Sequence, residues 1–321
     1  MSQLSFNQIN QLMQQHFLAK TYAEGFVLAN QALMSFPQQY PLINYWRICL
    51  SVQTGATDQA NSILEETLSA GTWYSQTVLR ENPALEAIQG DQEFERLAEI
   101  SAQMQQHDPK EGIPMLVLRQ QGNCSPGDET GCPLLLFLHG NQQTAHAHLK
   151  QWHPLSEAGW LVALPQSSNA LWADAHVWMD HNSAAGEVEH DYKQLEQQYA
   201  INQNQIILAG FAMGAEMALA LALSGRIKCH GFICLAPAGP LIGEVKQWQR
   251  YLEQAQGKTL RGVIIIGQED DNILPDHVNQ LHDMLNRDGI ATELRTIPNI
   301  GHEYPPKFDK VLSQAIKYII G

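Results

Sequence analysis

Ile206-Ile207-Leu208-Ala209-Gly210-Phe211-Ala212-Met213-Gly214-Ala215 is the stretch on which the reading of the chain turns. Its first four residues form a short apolar run, as expected of a strand buried on both faces. A helical stretch, Glu216–Ser224, follows at once. Gly210 and Gly214 bracket the junction, and with the small Ala215 they permit a sharp strand-to-helix turn. Such a turn pushes its central residue into the open at the end of a sheet. That residue is Ala212.

Six further apolar runs flank this one: Met115–Leu118, Leu134–Leu138, Leu161–Leu164, Phe232–Leu235, Val263–Ile266 and Glu293–Ile297. Between them the spacing predicts helices near Thr144–Glu157, Ala184–Tyr199, Leu241–Gln254, Asp276–Arg287 and Phe308–Ile319. Strand and helix in alternation predict an α/β fold, a doubly wound and mostly parallel sheet. The segment Gln121–Pro133, rich in Gly, Ser, Pro and Asp, reads as a hairpin loop, which would make the first strand antiparallel.

Upstream the pattern is different. From Met1 to about Asp108 the apolar spacing is helical throughout, with Phe6, Ile9, Leu12 and Met13 on one stripe and Phe26, Ala29, Leu33 and Met34 on another. Gly55 reads as the close of a third helix, Asp58 as the cap of a fourth, and two further helical pieces as Thr77–Ala87 and Gln92–Gln105. Gly25 and Ala60, Leu28 and Ile63, and Leu33 and Leu68 each recur after a helix-pair interval, close to the period of tetratricopeptide (TPR-like) repeats. A generic helical bundle is the plainer account. With 321 residues the chain is long enough for two domains, and the change of pattern divides it into a small all-helical domain, 1–108, and an α/β domain, 109–321.

Composition narrows the partners. Nineteen basic residues against 33 acidic ones leave a formal net charge of −14, which disfavours nucleic acid and anionic membranes. The N-terminus has no apolar core of a secretory signal, and no run approaches the length of a membrane span. Five scattered cysteines do not make a disulfide framework, so Cys124 and Cys132 are expected as free thiols in a cytoplasmic protein. Thirteen histidines include the groups His146, His148, His153 and His176, His181, His190, but neither has a metal-site spacing, and they read as surface or pocket-rim residues. Trp152, Trp160, Trp172 and Trp178, with Met179, read equally as pocket lining or as core.

Three other strand ends carry distinctive residues. Leu134–Leu138 leads into His139-Gly140-Asn141, Val263–Ile266 into Gly267-Gln268-Glu269-Asp270-Asp271, and Glu293–Ile297 into Pro298-Asn299-Ile300-Gly301-His302. With the 210–214 turn, these four in order resemble the α/β-hydrolases, in particular the carboxylesterase/phospholipase or dienelactone-hydrolase-like branch. Gly159-Trp160, Pro165-Gln166-Ser167-Ser168, Val177-Trp178 and Asp180 extend the likeness, and Gly71-Thr72-Trp73-Tyr74-Ser75 with Leu79-Arg80 looks like the helical extension some of these hydrolases carry.

The resemblance implies a catalytic triad. His302 would be the base and Asp270 or Asp271 its orienting acid, while the amides of Asn141 and Met213 would form the oxyanion hole. His139 would support that loop. The nucleophile position of this family holds serine; here it is Ala212. Alanine has neither a nucleophilic oxygen nor a proton for His302 to take, and loss of a triad serine costs roughly 10⁶ in kcat. The chain as written is therefore expected to be inactive, either as a Ser-to-Ala variant or as a natural pseudoenzyme. Its expected ligand is a small acyl ester or thioester. The helical front is a candidate site for a protein partner, and the chemistry requires no cofactor and no metal.

Overall fold

In the computed structural model, which describes residues 4–125, 127 and 130–321, the seven apolar runs become the strands of one sheet. They are β1 (Met115–Leu118), β2 (Cys132–Leu138), β3 (Leu161–Pro165), β6 (Ile201–Phe211), β7 (Gly231–Leu235), β8 (Arg261–Gly267) and β9 (Ala291–Ile297). A separate two-stranded piece consists of β4 (Ala170–Trp172) and β5 (Ala175–His176). The main order is β1-β3-β2-β6-β7-β8-β9, parallel except for β1. The chain moves outward from β2 to β3, then returns past β2 to β6. The reversal falls between β2 and β6, at whose carboxyl ends an open α/β sheet places its crevice.

β1 is antiparallel, as expected, but its partner is β3, with Met115 opposite Pro165 and Leu118 opposite Val162. The expected hairpin with β2 does not form, because both sides of β2 are already taken by β3 and β6. Part of the loop, residues 126, 128 and 129, lies outside the described residues. The cysteines on either side of it are joined, not free: Cys124 and Cys132 form a disulfide with their Cα atoms 5.2 Å apart. That spacing is within the ordinary reach of the bond. The cysteine count therefore gives no ground for a reducing compartment. Among the described residues no helix is long and apolar enough to cross a membrane.

Two apolar layers cover the sheet. Leu134, Leu136 and Leu138 point to one face, where α8 (His181–Gln198), α9 (Met213–Ser224), α11 (Gln249–Ala255) and α12 (Pro275–Arg287) pack. Leu135 and Phe137 point to the other, where α7 (Leu149–Glu157) and α13 (Phe308–Ile320) pack. Alternation with both faces buried explains why these strands read as unbroken apolar runs. Nearly all of α9 is buried, which suits its uniformly apolar sequence. The single helix expected over 241–254 is broken into α10 (Pro240–Gly243), a 3-10 turn at 245–248 and α11. The Trp248 indole N–H donates to the carbonyl of Leu241, seven residues back, which a continuous helix would hold too far away.

The chain forms two compact units: residues 113–169 with 176–321, described above, and residues 1–112 with 170–175. The second contains α1 (Phe6–Leu18), α2 (Tyr22–Ser35), α3 (Tyr40–Gln53), α4 (Thr57–Ser69), α5 (Gln76–Arg80) and α6 (Gln92–Gln106). Ser5 and Gln8 form a capping box at the start of α1, and the Asp91 carboxylate caps α6. Asp58 is not a cap; it lies inside the first turn of α4, behind Ala56. The piece expected over 77–87 is α5 followed by a 3-10 turn, since Pro83 cannot continue the backbone hydrogen bonding of α5. Gly25 and Ala60 are both buried, and a Cβ on Gly25 would lie 3.1 Å from Leu50. The presence of 170–175 in this unit was not legible locally. Trp172 pairs with Tyr74 across a β-bridge, and its ring lies 6.1 Å from that of Tyr74 and 6.2 Å from that of Tyr45.

Candidate active site

β6 ends at Phe211 and α9 begins at Met213, so Ala212 alone makes the turn. Its backbone has φ +50° and ψ −118°, a region that a residue with a Cβ rarely occupies. The conformation costs about 1–3 kcal/mol and persists only where the surroundings over-determine it. Here they do. The Ala212 N–H donates to the Leu235 carbonyl at 3.0 Å, and its own carbonyl accepts from Ala215 and Ala238 at 3.0 and 3.2 Å.

The flanking glycines serve the turn by their lack of volume. A Cβ on Gly210 would stand 2.1 Å from the Gly214 carbonyl oxygen, and one on Gly214 would stand 2.1 Å from that of Leu138. The first turn of α9 thus rests directly on the end of β2. That contact brings the segment holding Asn141, which is exposed, beside the segment holding Met213, which is half-buried.

The expected base and acid meet. His302 Nδ1 lies 2.8 Å from Asp270 Oδ2, and the Asp270 side chain is almost wholly buried. The other carboxylate oxygen accepts the Asn272 N–H at 2.9 Å, so both Asp270 oxygens are held. Asp271 is exposed, and of the two aspartates it is Asp270 that contacts His302. The backbone laces the two loops together: Gln268 and Glu269 donate to Ile297 and Ile300, and a Cβ on Gly267 would lie 2.2 Å from the Gly301 carbonyl oxygen. The His302 ring lies 5.0 Å from the Phe211 ring, next to the residue 212 turn.

His139 is fully buried, and burial pulls its pKa down to about 3, so it stays neutral. Its Nε2 accepts the Ser167 N–H at 3.2 Å, which leaves the ring proton on Nδ1, donating to the Gly140 carbonyl at 2.8 Å. The ring stacks on Trp178, whose indole N–H donates to the His139 carbonyl at 2.9 Å. This histidine shapes the loop, and its one ring lone pair is taken up by the Ser167 N–H, so it does not serve as a base.

The tryptophans weighed equally as pocket lining or as core divide between the two. Trp152 and Trp178 are core side chains, and Trp172 sits in the helical unit. Trp160 lines a small cavity of about 210 Å³ with Leu155, Leu312 and Ile316, while Met179 is exposed. Sequence reasoning missed two residues at the site, Phe211 and Tyr304, whose rings stack 5.3 Å apart within 10° of parallel. An aromatic beside the central turn residue and another two places after His302 were visible, but no local pattern pairs them.

Comparison with known proteins bears on the fold and the family. Residues 7–108 match the family model of the A/B hydrolase-like N-terminal domain, and residues 171–320 match that of Phospholipase/Carboxylesterase. An uncharacterized protein from Bacillus cereus is similar over 99% of this chain and 100% of its own, at 23% identity and a TM-score of 0.55. Esterase 2 of Thermogutta terrifontis, solved phosphoramylated by tabun, is 10% identical with a TM-score of 0.50, over 64% of this chain and 88% of its own. At these identities the solved structures speak to the fold. The chain belongs to the α/β-hydrolase superfamily, with a helical N-terminal region in front of a phospholipase/carboxylesterase-type domain.

Proposed function

We propose that the protein is a serine-type carboxylic ester or thioester hydrolase scaffold in which Ala212 occupies the nucleophile position, so that it binds acyl ligands without covalent turnover. In this reading the 210–214 turn is a nucleophile elbow. His302 is the general base, Asp270 orients it, and the Asn141 and Met213 amides receive the oxyanion. The observation that carries the reading is the buried Asp270 carboxylate on His302 Nδ1, at 2.8 Å, beside a residue held at φ +50°. With Nδ1 bound to the acid, His302 Nε2 is left to take a proton from a hydroxyl at residue 212. Alanine supplies none.

Replacing Ala212→Ser tests this directly. Hydrolysis of p-nitrophenyl acetate should rise by roughly 10³- to 10⁶-fold over the alanine chain, and a fluorophosphonate should label Ser only in the variant. A folded Ala212→Ser protein with neither activity nor label overturns the assignment.

A further inference from the structure

A second histidine, outside the proposed triad, joins two of the loops that carry the site. His148, 2% exposed, closes the 3-10 turn after β2. Its Nε2 lies 3.0 Å from Gln143 Oε1 and its Nδ1 lies 2.7 Å from the Tyr304 hydroxyl. Gln143 Oε1 also accepts the Gly140 N–H at 3.0 Å, and the Trp152 indole N–H donates to the Tyr304 oxygen at 3.2 Å.

Every proton in this chain has one place. The Gly140 N–H can only donate, so the Gln143 atom it meets is the amide oxygen. That oxygen can only accept, so His148 carries its proton on Nε2. His148 Nδ1 is then a lone pair, and the Tyr304 O–H donates to it. The Tyr304 oxygen in turn takes the Trp152 proton. Burial fits this assignment: it pulls His148 down to about 4, leaving it neutral, and pushes Tyr304 well up, so its hydroxyl keeps its proton.

We propose that His148 is a positioning residue, which with Gln143 and Tyr304 ties the loop after β2 to the loop bearing His302 and fixes their spacing around residue 212. Tyr304 is two residues past His302 and stacks on Phe211, the residue before Ala212, so the tie reaches the ends of β2, β6 and β9. Gly140 is part of the device, since a Cβ there would stand 2.5 Å from Gln143 Oε1. The tie exists with alanine at 212. Its consequence for catalysis rests on the hydrolase reading above.

The test has one arm that needs no activity. Long-range ¹H–¹⁵N spectra of the full Ala212 chain should show His148 as the neutral Nε2–H tautomer at pH 7; a proton on Nδ1, or on both nitrogens, overturns the proposal. Tyr304→Phe keeps the ring over Phe211 and removes only the hydroxyl. It should speed water exchange of the His302 Nδ1–H by about tenfold or more, while the protein still melts cooperatively. His148→Phe should act in the same direction, and Tyr304→Phe decides the matter if that variant does not fold. An unchanged His302 exchange rate in Tyr304→Phe overturns the proposal. In the Ala212→Ser background, Tyr304→Phe should lower kcat by roughly 10- to 100-fold with KM within about twofold. Unchanged kcat overturns the catalytic consequence. An inactive Ala212→Ser parent strikes the hydrolase reading instead, and the spectra still decide on the tie.

Discussion

The turn at Ala212 and the Asp270–His302 pair stand at the ends of strands in one sheet, yet they are held by different means. The turn is held by exclusion. Gly210 packs on the Gly214 carbonyl, Gly214 packs on the Leu138 carbonyl, and backbone hydrogen bonds close the space around residue 212. The pair is held by attraction, a buried carboxylate with one oxygen on an imidazole and the other on a backbone N–H. Neither arrangement uses the side chain at 212. Main-chain hydrogen bonds and close backbone packing hold the strained conformation there, and the Asp270–His302 pair forms without any contribution from residue 212. In the proposed reading, a hydrolase site of this design would keep its shape without its nucleophile, and fold comparison by itself says nothing about whether such a chain turns over.

Substitutions that act on one arrangement and spare the other sharpen the contrast. The largest effect is expected in the pair. In the Ala212→Ser background, Asp270→Asn should lower kcat by roughly 10⁴, because an amide favours the wrong imidazole tautomer, while the melting temperature moves little. Steady-state kinetics with a thermal scan reads both. A collapse of stability in Asp270→Asn would mean that the pair holds the fold as much as the turn does.

Next comes the turn. Gly214→Ala adds a Cβ that would overlap the Leu138 and His139 carbonyls, so a loss of about 3 kcal/mol or more, or failure to fold, is expected in urea unfolding. Near-normal stability would mean that β2 and α9 are less tightly apposed than 2.1 Å implies. The smallest effect is expected from Ala212→Gly. Glycine accepts φ +50° without the steric cost, but it also gains freedom in the unfolded chain. The two terms nearly offset, leaving a change of up to about 1 kcal/mol toward greater stability, measurable as the urea midpoint. A clear destabilisation would show that the alanine methyl makes packing contacts worth more than the strain it brings.

Much of this was legible in the sequence, and the limits have physical causes. The strand runs, the 210–214 turn and α9 were readable because each is written in adjacent residues: buried strands are continuous apolar runs, and a sharp turn needs small residues at fixed offsets. The four strand-end motifs were readable for the same reason. The choice between Asp270 and Asp271 was not. Both lie in the same loop, and what separates them is a contact with His302, 32 residues later. One of the two histidine groups, which carried no metal-site signal, held His148, whose partner Tyr304 lies 156 residues away.

The same boundary runs through the whole molecule. The sequence by itself determined a helical front, an alternating α/β sequence, four strand ends with candidate site residues and the absence of a side-chain oxygen at 212. It did so because periodicity and turn chemistry act over a few residues. Only the tertiary structure decided that β1 pairs with β3, that residues 170–175 belong to the helical unit, that Cys124 meets Cys132, and that Asp270 meets His302. Each of those is a choice among chemically equivalent partners, and it is settled by which groups the packed core leaves within bonding distance.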